Sequence, residues 1–173
     1  MLKKNMKTEK LYRILSAILM PITFILAFFT LPFALMSFGN PSTLLGLFIF
    51  ICVIIYMVKS VGFYRKHILT ELPAKASNRE WIRINAIVAV VFVAEIFVSA
   101  YAVFFQPESI LKAMQVFMNS LQDAEGGTSL PVTAAQMLGA LRNLMIFFTI
   151  YGIIMLVHIF CSFKLLKKYR HLL

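Results

Sequence analysis

The sequence has little charge for its length. Charged residues make up 14% of its 173 positions and hydrophobic residues 61%, whereas an average globular protein carries about 25% charged residues. A soluble domain of this length could not bury so much apolar surface, but a bilayer solvates apolar side chains directly. The shortage of charge therefore excludes an ordinary soluble protein and indicates a membrane protein.

The sequence also lacks the residue patterns of common catalytic sites. Its single aspartate, Asp123, lies in a flexible loop, whereas aspartyl chemistry needs two neighbouring carboxylates. Neither G-x-S-x-G nor H-E-x-x-H occurs, and His and Glu are not spaced as in the paired metal sites of helical bundles. We therefore expect that the protein is not an enzyme and uses no cofactor or metal.

Cysteine is scarce as well. Cys52 and Cys161 both lie inside apolar runs, and neither has a His or Cys at metal-ligand spacing. Two such residues do not make a disulfide framework. We expect both to act as small hydrophobic side chains of the core.

Four long apolar runs dominate the sequence. Each reaches or passes the roughly 20 residues that a helix needs to cross the hydrocarbon core, and a spanning segment must satisfy its backbone hydrogen bonds internally. The pattern predicts an all-α polytopic membrane protein, with four transmembrane helices in an up-down bundle and one domain over residues 1–173. The predicted spans are about 14–38, 43–64, 83–105 and 141–163.

Basic residues flank these runs on one side. Three segments hold 14 of the 17 lysines and arginines, whereas the other two connections hold few. The positive-inside rule then places both termini in the cytoplasm of a protein in the cell membrane. The net charge of +10 therefore indicates an anionic lipid surface rather than nucleic acid. The basic residues are Lys3, Lys4, Lys7, Lys10 and Arg13; Arg65, Lys66, Lys75, Arg79 and Arg83; and Lys164, Lys167, Lys168 and Arg170.

The outer loop between the third and fourth spans carries an extra helix. Apolar residues recur at helical spacing on one face of residues 108–122, and polar residues lie largely on the other, which predicts an amphipathic helix. This helix would lie in the outer interface, cover the bundle or meet a partner. After the flexible link that follows, Thr133 is the predicted cap of the helix that leads into span four.

Glu95 interrupts the third run about 18 Å from its cytoplasmic end. Because a charge at this depth is costly, such residues usually face the bundle interior, and the small side chain of Ser99 one turn on favours helix contact. Lys59 in span two, about 9 Å deep, either forms an ion pair with Glu95 or extends to the headgroups. Tyr56 and Tyr151 lie near enough in depth to hydrogen-bond the carboxyl.

His158 lies at a depth that matches Lys59. One interpretation places it with Ser60 and Asn85 in a polar vestibule on the cytoplasmic side. The other is a histidine bonded to a neighbouring helix. A single histidine without a second strong ligand does not form a haem or metal site.

Three functions are compatible with this pattern. The first is a structural or regulatory membrane subunit without enzymatic activity, in which Glu95 joins helices or subunits. The alternative is an oligomeric channel or transporter for protons or cations, with Glu95 along the path. A third is a partner protein that acts through the outer helix. The expected partners are the lipid bilayer and either further copies of the chain or another membrane protein.

Overall fold

The computed structural model describes residues 3–37, 41–124 and 133–172. All regular structure in these ranges is helical. The five α-helices are α1 (Lys3–Ser37), α2 (Pro41–Phe63), α3 (Ala76–Phe105), α4 (Pro107–Ala124) and α5 (Ala134–Lys168). A π-helical turn at Tyr64–Ile68 follows α2, and a short 3₁₀ helix at Arg170–Leu172 follows α5.

Four of the described helices are long and apolar enough to cross a membrane. The segments that meet this criterion are Lys7–Pro32, Thr43–Ile68, Ser77–Phe105 and Ala134–Lys168, and each contains most or all of one predicted span. Within the described ranges, the all-helical class is therefore confirmed, and so are four helices that are long and apolar enough to span a membrane. The helices extend beyond the apolar runs because charged residues continue a helix readily once it has left the hydrocarbon.

Local chemistry explains where two of these helices begin. Pro41 is the first residue of α2, a position where a missing N–H costs nothing and the fixed φ favours the helix. Before α5, the Gln136 backbone N–H donates to Thr133 Oγ1 at 3.3 Å, and the Thr133 N–H donates to Gln136 Oε1 at 2.9 Å. This reciprocal arrangement is a capping box and confirms Thr133 as the predicted cap. The turn predicted around residues 38–40 lies outside the described residues.

The chain divides into two compact units. Residues up to Val93 and from Ile153 onward form the first unit, and Ala94–Gly152 form the second. The single domain over residues 1–173 stays a prediction. Both cysteines belong to the first unit and are buried and free, as expected. The first unit buries Leu19 of α1, Val53 and Met57 of α2, Ala86 of α3 and Met155 of α5.

Many large apolar side chains are exposed on the single chain. Phe24 of α1 is 78% exposed and Phe105 of α3 is 73% exposed. Soluble monomers rarely expose large apolar patches, whereas lipid is an apolar solvent for such side chains. These surfaces agree with a chain that resides in a membrane.

Candidate functional site

Three helices of the first unit each contribute a pair of polar side chains four residues apart. The pairs are Tyr12 and Ser16 on α1, Tyr56 and Ser60 on α2, and His158 and Ser162 on α5, and all six residues are buried. Because an α-helix has 3.6 residues per turn, a spacing of four places both members of a pair on one face. We call these six residues the polar cluster.

His158 lies at the centre of the polar cluster. Its Nε2 is 3.0 Å from Ser16 Oγ, and its Nδ1 is 2.8 Å from the Tyr56 hydroxyl. The imidazole also stacks on the Tyr12 ring, with the ring centroids 4.5 Å apart. Both ring nitrogens are therefore engaged, and α5 is connected to α1 and α2 through one side chain.

The remaining hydroxyls complete a continuous chain of hydrogen bonds. The Tyr12 hydroxyl is 2.7 Å from Ser60 Oγ, which is 2.6 Å from Ser162 Oγ. The Tyr56 hydroxyl donates to Ser162 Oγ at 3.1 Å. At the other end, Ser16 Oγ donates to the backbone carbonyl of Tyr12 at 2.8 Å. This series of hydrogen bonds ends at the Tyr12 carbonyl. Within the described residues, the polar groups of the polar cluster are therefore bonded to one another.

A small cavity adjoins the polar cluster. Tyr12, Ser60, Tyr64 and Ser162 contribute its polar wall, and apolar residues such as Ile82 line the rest. It has room for about one water molecule. A cavity of this size is too small for an organic substrate.

An ion pair connects the helix ends next to the polar cluster. Lys168 Nζ of α5 lies 2.6 Å from Glu9 Oε1 of α1, and the Tyr169 hydroxyl donates to the same oxygen at 2.7 Å. Burial raises the pKa of the Tyr169 hydroxyl, and its bond to Glu9 acts in the same direction. The Ala74 backbone N–H also donates to the Leu172 carbonyl at 2.6 Å. These contacts hold the two ends of the chain and the link before α3 together.

The structure assembles part of the predicted vestibule. His158 and Ser60 belong to the polar cluster together with Tyr56, so the histidine bonded to a neighbouring helix describes the site better than an open vestibule. Asn85 is buried, but its amide donates to the Trp81 carbonyl of its own helix at 2.7 Å. Tyr151 is buried in the second unit.

Glu95 does not face inward on the single chain. Its side chain is exposed, as is that of Ser99 one turn on. The buried side of this part of α3 is instead formed by Ile96, Ala100 and Val103. The expectation of an inward-facing carboxyl is therefore wrong for the isolated chain, because apolar residues at helical spacing occupy the inner face.

Among the described residues of the second unit, none forms an ion pair with the Glu95 carboxyl. Lys59 is exposed and belongs to the first unit. The Lys59–Glu95 ion pair stays a prediction.

Sequence reasoning did not identify Tyr12, Ser16 and Ser162 as members of the site. The missed signal is an aromatic ring followed four residues later by serine, which occurs in three of the four spans. A single such pair is common in apolar helices, because a serine can bond its own backbone. The repetition at matching distances from one end of the membrane would have indicated a shared contact.

Neither a metal site nor a similarity to known proteins assigns a role to these residues. Within the described ranges, no three His, Cys, Asp or Glu side chains lie together in a group that could hold a metal ion. No protein-family model, curated protein or solved structure matches the chain.

Proposed function

We propose that this chain is a structural or regulatory subunit of a membrane assembly, without enzymatic activity of its own. The observation that carries the proposal is Glu95, an exposed carboxyl within an apolar helix. Val98, one turn on, is 70% exposed and apolar. A carboxyl that faces lipid at this depth is costly, and a neighbouring transmembrane helix removes that cost by supplying a hydrogen-bond partner.

The polar cluster supports a role without catalysis. Its hydroxyls and the His158 nitrogens are already bonded to one another, and the cavity beside them is too small for an organic substrate. A network that is satisfied internally rigidifies a core and fixes one packing of its helices. In this function the polar cluster fixes the packing of the helices in the first unit, and the surface around Glu95 contacts the partner.

The contacts of the first unit also support the proposed arrangement of the chain. As α1 advances from Glu9 to Ser16, its partners in α5 move back from Lys168 to His158, as expected for antiparallel neighbours of an up-down bundle. The same contacts join the basic N-terminal segment to the basic tail. A cell-membrane protein with both termini in the cytoplasm would have this concentration of positive charge on one side.

Helix α4 has the features of an outer amphipathic helix. Ile110, Met114 and Met118 are half-buried, whereas Lys112 and Asn119 are exposed. A helix with these two faces fits the outer interface of a membrane. We assign α4 to that position in the proposed topology.

The alternative function is an oligomeric channel or transporter for protons or cations. The same exposure of Glu95 favours it, because exposed carboxyls of several copies could line one path. The two functions differ in one property of Glu95. A subunit contact excludes water from the carboxyl, whereas a path for ions requires water there.

A thiol-labelling experiment separates these functions. The protein carrying Glu95→Cys is treated with a water-soluble maleimide in open membrane fragments, in which the reagent reaches both faces of the bilayer. Glu80→Cys, an exposed position at the start of the same helix, is the matched control for reagent access. The proposal predicts that position 80 is labelled and position 95 is not. Comparable labelling at both positions would contradict it.

A flux measurement tests the alternative directly. Wild-type protein and Glu95→Gln are reconstituted in liposomes, and proton and cation flux are recorded. The proposal predicts no flux above that of empty liposomes for either protein. Flux in the wild type that disappears in Glu95→Gln, with the variant still folded, would establish the channel.

A further inference from the structure

Ser99 and Ala102 are small side chains close to Glu95 around the axis of α3, and the exposed Val91 and Val98 lie beside them. At about 100° of rotation per residue, Ser99 lies about 40° and Ala102 about 20° from the direction of Glu95. Ser99 is exposed and Ala102 is half-buried. Ala94 is exposed as well, but it lies about 100° away around the helix, opposite the side that buries Ile96 and Val103. We call Glu95, Ser99 and Ala102 the Glu95 face.

Depth in the membrane restricts which partner can meet this face. Another protein would need a polar group at the depth of Glu95, about 18 Å from the cytoplasmic end of the span. A second copy inserted in the same direction presents its own Glu95 at that depth automatically. The group that meets Glu95 of one copy is then Glu95 of the other copy.

The chemistry of the Glu95 face is self-complementary. A carboxyl that carries its proton both donates and accepts a hydrogen bond, and so does the serine hydroxyl. Two such faces related by a two-fold axis can therefore satisfy one another. The side chains of Ser99 and Ala102 are small enough for the two helices to approach closely, as in other transmembrane helix contacts.

We infer that the Glu95 face is the contact between two copies of this chain, related by a two-fold axis along the membrane normal. The contact is isologous, with residue i of one copy against the same region of the other. This inference rests on the proposed function and names the partner that the proposed function leaves open.

Disulfide trapping tests the geometry of the contact. Ser99→Cys and Ala102→Cys are compared with Ala94→Cys, each in membranes treated with a mild oxidant. Ala94 is the matched control, because it is an exposed alanine next to Glu95 on a different face. Cys52 and Cys161 are buried, so the wild type is the background without an accessible thiol.

The inference predicts cross-linked dimers for Ser99→Cys and Ala102→Cys. A disulfide requires Cα atoms about 4.4–6.8 Å apart, which positions near a two-fold axis meet. We expect at least about tenfold less dimer for Ala94→Cys. Equal cross-linking at the three positions, or the strongest cross-linking at position 94, would overturn the inference.

A second series tests the chemistry by measuring the dissociation constant of the dimer in liposomes, from energy transfer between labelled copies at increasing lipid dilution. Glu95→Gln keeps a donor and an acceptor, so it retains the dimer. Glu95→Leu weakens it by roughly five- to thirtyfold, the effect of about 1–2 kcal/mol of hydrogen bonding between helices. Because Glu95 is exposed, neither substitution disturbs the core. Lys59→Gln leaves the constant unchanged.

Other results would separate this inference from the proposed function. If Glu95→Gln and Lys59→Gln both weaken the dimer, the Lys59–Glu95 ion pair forms between copies and the carboxyl pair is wrong. Purified wild type could also be monomeric in liposomes while position 95 stays unlabelled in native membranes. That result overturns the inference and leaves the proposed function with a different protein as partner. A monomer labelled at position 95 overturns both.

Discussion

Replacement of His158 by phenylalanine removes the centre of the polar cluster without removing its ring. Phenylalanine retains an aromatic surface against Tyr12, but it loses the bonds of both nitrogens to Ser16 and Tyr56. The two partners are not left entirely unsatisfied. Ser16 still donates to the Tyr12 carbonyl, and Tyr56 still bonds Ser162.

The expected loss of stability follows from these two bonds. Hydrogen bonds within membrane proteins average about 0.6 kcal/mol, with a maximum of about 1.7 kcal/mol, and the general range is about 0.5–1.5 kcal/mol. Two lost bonds therefore lower the free energy of unfolding by about 1–3 kcal/mol. The retained ring keeps the packing contribution small, so most of the change reports the hydrogen bonds.

The free energy of unfolding is measured in bicelles for wild type, His158→Phe and His171→Phe. His171 is exposed, so the same substitution there changes the value by less than about 0.5 kcal/mol. A His158→Phe variant as stable as the His171→Phe variant would refute the account of the polar cluster. A double-mutant cycle with Tyr56→Phe checks that the two residues are coupled.

Three further substitutions test separate contacts. Tyr56→Phe alone loses its bonds to His158 and Ser162 and lowers the free energy of unfolding by about 1–3 kcal/mol in the same bicelle assay; an unchanged value would contradict the cluster. Lys168→Ala removes a partly exposed ion pair, so the free energy of unfolding falls by at most about 1 kcal/mol, and this decrease shrinks as salt is raised. A larger decrease that does not change with salt would be inconsistent with this exposure. Thr133→Ala removes the capping box, which costs about 1 kcal/mol and speeds hydrogen exchange in the first turn of α5; unchanged exchange there would argue against the cap.

The helices could be predicted because lipid leaves few alternatives. Apolar runs of spanning length must form helices in a bilayer, and α1, α2, α3 and α5 follow from that constraint. The exact ends could not be predicted in the same way. Outside the hydrocarbon, helix ends depend on caps such as Thr133, which was identified, and on favourable continuation through charged residues such as Lys167.

The face that each helix buries could not be predicted from hydrophobicity. Around Glu95, the exposed Val98 is as apolar as the buried Ile96, so the sequence has no apolar stripe that marks the inside. Tertiary packing decides the orientation, and it leaves the carboxyl outside on the single chain. His158 was identified by its polarity within an apolar run, but its partners on other helices depend on packing that periodicity does not encode.

The most direct measurement is the number of chains in each assembly in a lipid bilayer. Fluorescently labelled wild type, Glu95→Gln and Glu95→Leu are reconstituted at low density, and photobleaching steps are counted for single spots. The account predicts two steps for the wild type and for Glu95→Gln, and mostly one step for Glu95→Leu. One step for all three proteins, or two steps that persist in Glu95→Leu, would contradict a contact made through Glu95.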